Sequence, residues 1–285
     1  MTQCDSENNI SSAPSEVHPS PYVPPPPSGP RYELVPLRLS DPFRWLAHGL
    51  RDLVAEIWIA LFYGACFWAM AMILGAVFRN MPEYTMSFVS GCLLVGPFLA
   101  MGLYEVSRRR EQSGVADLAS SLTCWDRHLG SMGLLVLVLV VLELLWGRAS
   151  LVVFAVFFNT GMPSTASVVQ AVFDPQNWEF LAVYLAVGGI FAGLVFSSSV
   201  VSLPMILDRD ADAISAVLAS MQVVFGNLLV MLLWGLLIST LVLVSLLPWG
   251  LGLLLVGPWL GHASWHAYRG AIRWPDEEQA TVAEG

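Results

Sequence analysis

An all-α fold, a polytopic membrane helical bundle with six transmembrane helices in three hairpin repeats and amphipathic helices at the interface, is predicted by three observations. First, 56% of the 285 residues are hydrophobic and 12% are charged, with a mean hydropathy of +0.65. Soluble domains carry about 25% charged residues, so the bilayer is the expected solvent. Second, the apolar residues gather into runs at about 56–78, 86–106, 132–158, 180–203, 221–245 and 247–267. Each is long enough to cross a hydrocarbon core that needs ~20 residues. Third, residues 93–108, LLVGPFLAMGLYEVSR, return as residues 254–269, LLVGPWLGHASWHAYR. Both place a Gly-Pro pair inside an apolar run and close on an arginine, so related helical pairs are expected.

Residues 1–39 read as a disordered, proline-rich cytoplasmic tail. The run Pro24 to Pro27 favours polyproline II, and the segment cannot bury enough apolar area to offset its ordering entropy. It has no apolar core of a signal peptide, so the first span is expected to direct insertion. Residues 40–273 form the expected membrane domain, and 274–285 an acidic cytoplasmic tail. From Asp41 the pattern turns helical: Pro42 suits the first helical position, and Phe43, Leu46, Ala47, Leu50, Leu53 and Val54 recur at helical spacing. Arg44, His48, Arg51 and Asp52 fall on the other side, which predicts an amphipathic helix lying on the membrane or packed under the spans. Comparable stripes are Leu118, Leu122, Trp125 and Leu129 after Asp117, and Ile214, Val217, Leu218 and Met221 after Asp212. Each precedes two apolar runs, giving a unit of surface helix, outward span and return span; the middle copy is the loosest.

All thirteen basic residues are arginine. In a six-span arrangement nearly all those near span ends, including Arg108, Arg109 and Arg110, fall on one side, with Arg79 on the other. That imbalance predicts that both termini lie in the cytoplasm. Trp178 and Trp249 suit the outer interface. The net charge of −9 argues against a nucleic-acid surface, so the lipid bilayer is the expected partner. Gly189 and Gly193 form a GxxxG suited to a tight contact within the chain, in a homo-oligomer, or with another membrane protein. Cys4, Cys66, Cys92 and Cys124 have neither CxxC nor zinc-like spacing.

Three groups of residues could carry chemistry. Pro97 and Pro258 cannot donate to the carbonyls of Leu93 and Leu254, so a helix kink is expected at each. Gly96 and Gly257 would permit close helix approach there. One reading is simple packing; the sharper one is a broken-helix binding site. Glu143 lies deep in the third span, where a carboxylate needs a partner or a cavity. Arg148 is about 140° around the same helix, poorly placed to pair with it. A structural polar clamp and a proton or substrate relay both fit. His262 and His266 share a helix face, and the repeat offset sets Glu105 opposite His266, so the three could hold a divalent metal. A haem clamped from both sides would need a further histidine such as His48 or His128. The bland alternative is an interfacial cluster with Trp259, Trp265 and Tyr268. No nucleophile-elbow, Walker, dinucleotide-binding or HExxH pattern appears, and for an enzyme acting on lipid at the cytoplasmic interface Glu105 is the first-ranked base.

The segments DPFRWLAHGLRDL, LVGPFLAMGLYEVSRRRE, WGRASLVVFAVFF, VVSLPMILDRDADA and GPWLGHASWHAYR, spread over residues 40–273, together resemble a bacterial integral-membrane family catalogued as domain of unknown function 2189. The resemblance implies a multi-span inner-membrane protein whose activity is not established. The residues themselves favour a non-enzymatic transport or membrane-organising role, with a metal- or haem-linked respiratory accessory protein as the alternative.

Overall fold

The computed structural model describes residues 32–81, 84–158, 177–247 and 249–275. Helix α1 (Asp41–Ala55) has Pro42 in its first turn and ends where Glu56 leaves helical geometry. Helix α2 (Ile57–Asn80) follows, then α3 (Thr85–Ser113), which closes on Gly114 at φ 73°. Helix α4 (Leu118–Thr123) starts on Asp117, whose carboxylate accepts from the Ser120 amide, and runs through a 3₁₀ turn into α5 (Leu129–Phe157). Helix α6 (Trp178–Ser199) leads into α7 (Ser202–Arg209). Helix α8 (Ala213–Gly226) is capped by Asp212 on the Ser215 amide, and α9 (Leu228–Leu246) and α10 (Leu253–Ala271) complete the bundle. Capping of this kind satisfies amides that the first turn leaves unpaired.

Among the described residues, five stretches are long and apolar enough to cross a bilayer: α2, α3, Leu118–Phe157, Trp178–Arg209 and α9. Only 11 to 29% of their most apolar windows is buried. Side chains such as Leu185, Leu229 and Leu243 stand more than three-fifths exposed. Apolar patches of that extent are not tolerated against water, so the surrounding medium is lipid. The run expected at 247–267 becomes helical only at Leu253, after a turn in which Trp249 and Gly250 take positive φ. Its second half carries His262, His266 and Arg269, and it is not among these five stretches.

The core lies at one end of the bundle. Residues 101–107 of α3 and 201–207, spanning α7, are buried without interruption. They meet Trp45 of α1, Ala216 and Val223 of α8, Trp234 of α9, and Trp265 and Tyr268 of α10. The apolar stripe expected on α1 is split. Leu46 and Leu53 turn inward with Trp45, Gly49 and Asp52, whereas Phe43, Leu50 and Val54 remain exposed. Gly49 decides this, because a Cβ there would stand 2.5 Å from the Ala263 amide nitrogen: α1 meets α10 backbone to backbone. On α8 the expected stripe is reversed in part. Ile214 and Leu218 face outward, and the small residues Ala213, Ala216, Ala219 and Ser220 form the packed face.

Residues 32–39, expected in the tail, are also tied to the bundle. β1 (Glu33–Leu34) pairs antiparallel with β2 (Ile272–Arg273), and the Leu37 amide donates to Asn227 Oδ1 at 2.8 Å. Trp274, expected in the acidic tail, is buried: its indole donates to the Tyr268 hydroxyl at 3.0 Å, and the Arg209 guanidinium lies 4.5 Å from its ring. The remainder of both expected tails, residues 1–31 and 276–285, lies outside the described residues.

Candidate functional site

A buried polar network joins α1, α3 and α10 at the densely packed end. Asp52 comes from the face of α1 that Gly49 brings against α10, and it receives three hydrogen bonds. Ser107 Oγ donates to Oδ2 at 2.7 Å, His266 Nε2 lies 2.9 Å from the same oxygen, and Arg110 Nε donates to Oδ1 at 3.2 Å. Ser107 also lies 2.8 Å from His262 Nδ1. His266 Nδ1 faces Glu111 at 3.4 Å, and Arg269 faces the other oxygen of Glu111 at the same distance. Arg110 reaches on to Glu56 at 3.1 Å and so secures the break between α1 and α2.

Burial alone would push the Asp52 carboxyl up, but the hydrogen bonds from His266 and Ser107 outweigh it, and the group is held below the ordinary carboxylate range. His48, on the rim with its ring 5.2 Å from that of His266, is held below its ordinary value by partial burial and then by that neighbour. Serine, histidine and aspartate are all present, yet their order is not that of a nucleophilic triad. There the imidazole stands between hydroxyl and carboxylate, whereas here the hydroxyl stands between imidazole and carboxylate and is fully buried. The arrangement is a clamp holding three helices together.

Glu105 points elsewhere. Two residues before Ser107 on α3, it lies about 200° around the helix from it. Its carboxylate, 2% exposed, takes Arg108 at 2.7 Å on one oxygen and Arg109 at 2.7 Å on the other. It lines a polar cavity of about 430 Å³ with Arg127, His128, Asp208 and Asp210. The structure therefore brings His262 and His266 into one network but sets Glu105 in another. Among the described residues no group of three or more His, Cys, Asp or Glu is placed to hold a metal. As for the histidines considered for a haem, His48 flanks His266, and His128 lies in the second cavity with Nε2 2.6 Å from Asp210. Asp210 itself takes φ 50°, a left-handed conformation that aspartate tolerates better than most residues.

Glu143 stands where α3, α5 and α6 meet. It is 7% exposed; Ser90 of α3 donates to its Oε2 at 2.7 Å, and its Oε1 has no hydrogen-bond partner among the described residues. It lies in the wall of a cavity of about 290 Å³ whose other walls are Leu142, Trp146, Phe191, Ala192 and Val195. Gly188 lets the outer edge of the Trp146 indole approach α6, since a Cβ there would already stand 3.2 Å from it. Arg148 is exposed on α5 and takes no part in this cavity.

The proline sites differ from each other. Both α3 and α10 continue as helices through Pro97 and Pro258. Close approach occurs at Gly257, where a Cβ would stand 2.8 Å from the Phe67 ring. Gly96 has no described neighbour within 4 Å, and neither do Gly189 and Gly193. Asp52, Ser107 and Ser90 were not legible as site residues. Asp52 had the polar pattern of a solvated helix face, and serines in apolar helices give no signal beyond their occurrence.

Residues 85–208, from α3 to α7, match the model of the family described as predicted integral membrane protein (DUF2189). The matched stretch includes Glu105 and Glu143 but neither Asp52 nor the α10 histidines. No curated protein and no solved structure matches the chain. The chain is thus a multi-pass integral membrane protein in contact with lipid, with a function that the match leaves unassigned.

Proposed function

We propose that this multi-pass membrane protein acts in a bacterial inner membrane as a six-span bundle with cytoplasmic termini, and that it carries a solute or ion by way of Glu143 without covalent chemistry. The observation that carries the reading is the unpartnered Oε1 of a buried carboxylate in the wall of an apolar cavity, halfway along α5. An ionised group at the centre of a spanning helix costs about 2.5–3.5 kcal/mol on insertion scales, and intramembrane carboxylates generally mark ion or substrate paths. A purely structural clamp would use both oxygens; this one leaves a buried oxygen without a partner.

The topology is supported by α10, whose 19 residues rise ~28 Å, close to the ~30 Å of a hydrocarbon core. Its polar residues lie against α1 and α3 rather than toward lipid, which explains its modest apolarity. The order of a shorter helix followed by two long ones, in α1 to α3 and α8 to α10, favours a repeated unit. The arginines at one end of the bundle favour the cytoplasmic side for that end. The metal-linked alternative has less support, because Glu105 is engaged by two arginines away from His262 and His266.

The test is flux into proteoliposomes. A panel of radiolabelled cations, anions, amino acids and sugars is offered to vesicles holding the full-length protein or Glu143→Gln. Protein-dependent flux of one class, lost in the variant while the variant still elutes as folded protein, is the expected result. Flux no greater than in empty liposomes across the panel, or equal flux in the variant, overturns the transport role. Reporter fusions placing Arg108–Arg110 outside the cytoplasm would overturn the topology.

A further inference from the structure

We infer that the polar cavity beside Glu105 binds a zwitterionic phosphoester, a phosphate group joined to a primary ammonium. The ethanolamine headgroup of a phospholipid is the membrane-borne form of that chemistry, and free phosphoethanolamine the soluble one. This is a second site, independent of the Glu143 reading. The cavity holds about 430 Å³, within the range of small-molecule sites, and its walls carry three arginines and four carboxylates. Which of those charges already have partners decides what the cavity can take. Glu105, 2% exposed, is fully engaged, with Arg108 on one oxygen and Arg109 on the other. One carboxylate between two guanidiniums leaves a positive charge over. Arg109 hydrogen-bonds to Glu105 through Nε, and its side chain is 44% exposed, so its two terminal nitrogens are accessible donors on a tethered group. Arg127 lines the same cavity, is exposed, and makes no hydrogen bond or ion pair among the described residues.

The carboxylates divide in the same way. Asp208, 8% exposed, accepts from the Tyr268 hydroxyl and faces Arg209. Asp126 is exposed and makes no hydrogen bond or ion pair among the described residues, and Asp210, 83% exposed, meets His128 through Oδ1. The cavity therefore offers open donors on Arg109 and Arg127 and open acceptors on Asp126 and Asp210. A plain anion would be repelled by the two aspartates, and a plain cation by the two arginines. A ligand that carries both charges satisfies all four groups. Phosphate suits the positive pair, because its several oxygens can take donors from two guanidiniums at once. A primary ammonium suits the negative pair with three hydrogen-bond donors, whereas a trimethylammonium has none. A lipid source is favoured by Leu122 and Leu129, on the segment that supplies Asp126 and Arg127. They are 39% and 48% exposed and give acyl chains an apolar surface next to the charged turn.

The experiment has two arms, both on the full-length protein. In the first, native mass spectrometry follows which lipid is retained from an equal mixture of phosphatidylethanolamine, phosphatidylcholine and phosphatidylglycerol in detergent. In the second, radiolabelled phosphoethanolamine is dialysed against the protein in phosphatidylcholine nanodiscs, with glycerol 3-phosphate as competitor and empty nanodiscs as baseline. One phosphatidylethanolamine per chain, retained in preference to both other lipids, is expected and assigns the lipid as the source. Saturable phosphoethanolamine binding without a lipid preference supports the same chemistry and assigns the soluble source. Arg127→Gln should weaken binding about tenfold, the order of one charge-assisted hydrogen bond. Asp126→Asn combined with Asp210→Asn should bring the preference over phosphatidylglycerol or glycerol 3-phosphate to within about twofold. These side chains are exposed, and asparagine tolerates the left-handed backbone at position 210, so the variants should elute as folded protein. Glu143→Gln, in the other cavity, should bind as the wild type does. Failure of both arms, equal retention of phosphatidylglycerol, glycerol 3-phosphate competing as well as phosphoethanolamine itself, unchanged binding in Arg127→Gln, or loss of binding in Glu143→Gln overturns the inference. None of these results bears on transport, which the flux assay decides separately.

Discussion

Removing the Asp52 carboxylate tests whether the network is the clamp that fixes α1 to the bundle. In Asp52→Ala the fully buried Ser107 loses an acceptor, and His266, 12% exposed at its side chain, loses the shorter of its two carboxylate contacts. Arg110 loses one partner but keeps Glu56, and at 25% exposure it can turn toward water. Breaking a buried charged pair from one side costs about 3–5 kcal/mol. Because the Arg110 contribution is screened, the lower part of that range, about 3 kcal/mol, is expected. For a bundle of this size each kcal/mol shifts Tm by about 2–4 °C, so the variant should melt about 6–12 °C lower. Asp52→Asn keeps the shape and loses the charge, and should cost about 1.5–3 kcal/mol. The assay is loss of the monodisperse elution peak after heating the detergent-purified protein at a fixed rate, with Arg44→Ala on the exposed face of α1 as control. The double variant with His266→Ala should be less destabilised than the sum of the single variants, by about 0.5–3 kcal/mol. An Asp52→Ala protein that melts within a degree of the control, or strict additivity with His266→Ala, refutes the clamp.

The same carboxylate sets a pH dependence. Its folded-state pKa lies below the unfolded value near 3.8, so its contribution is complete at neutral pH and is lost as pH falls through the folded value. Heat stability of the wild type should therefore drop below about pH 4, and that part of the drop should be absent in Asp52→Asn. Gly49→Ala forces a methyl group onto the Ala263 backbone and should cost about 1–3 kcal/mol in the same heating assay, whereas alanine at Gly189, which has no described neighbour within 4 Å, should cost far less. Trp274→Ala removes a buried indole together with its bond to Tyr268 and should cost about 3–5 kcal/mol; a wild-type melting temperature would show that the C-terminal strand is not part of the folded unit.

The sequence announces the helices of this protein far better than it announces their inward faces. Long apolar runs identify α2, α3, α5, α6 and α9 because crossing a bilayer needs length and low charge. Within such a run, however, lipid and protein core are equally apolar, so periodicity cannot tell one face from the other. That is why Ile214 and Leu218 seemed inward on α8 and prove exposed, while alanines carry the contact. On α1 the same logic inverts a polar residue: Asp52 matches the pattern of a wetted face, but its neighbour at Gly49 draws it into the junction with α10. Glu143 was legible because a carboxylate in an apolar run is conspicuous whatever it touches. Its donor Ser90 was not, since it arrives from a helix more than fifty residues away in sequence. The pairing of Glu105 with His266 by repeat offset failed for a geometric reason. Equivalent positions in two copies of a motif face equivalent surroundings, and those need not face each other.

Helix α3 carries the partners of every polar site described. Ser90 serves Glu143, Glu105 anchors the arginine cavity, and Ser107 and Arg110 hold Asp52. Ser90 and Ser107 are separated by ~26 Å of helix at 1.5 Å per residue, with Pro97 between them removing one backbone donor. One end of α3, residues 101–107, is buried without interruption, while Gly91, Leu94 and Val95 near the other are exposed. The helix is therefore held firmly at the network and loosely beside the Glu143 cavity. Any adjustment of that cavity to an occupant can be taken up on the Ser90 side of Pro97 without disturbing the clamp, because the contacts that would resist it are concentrated on the other side.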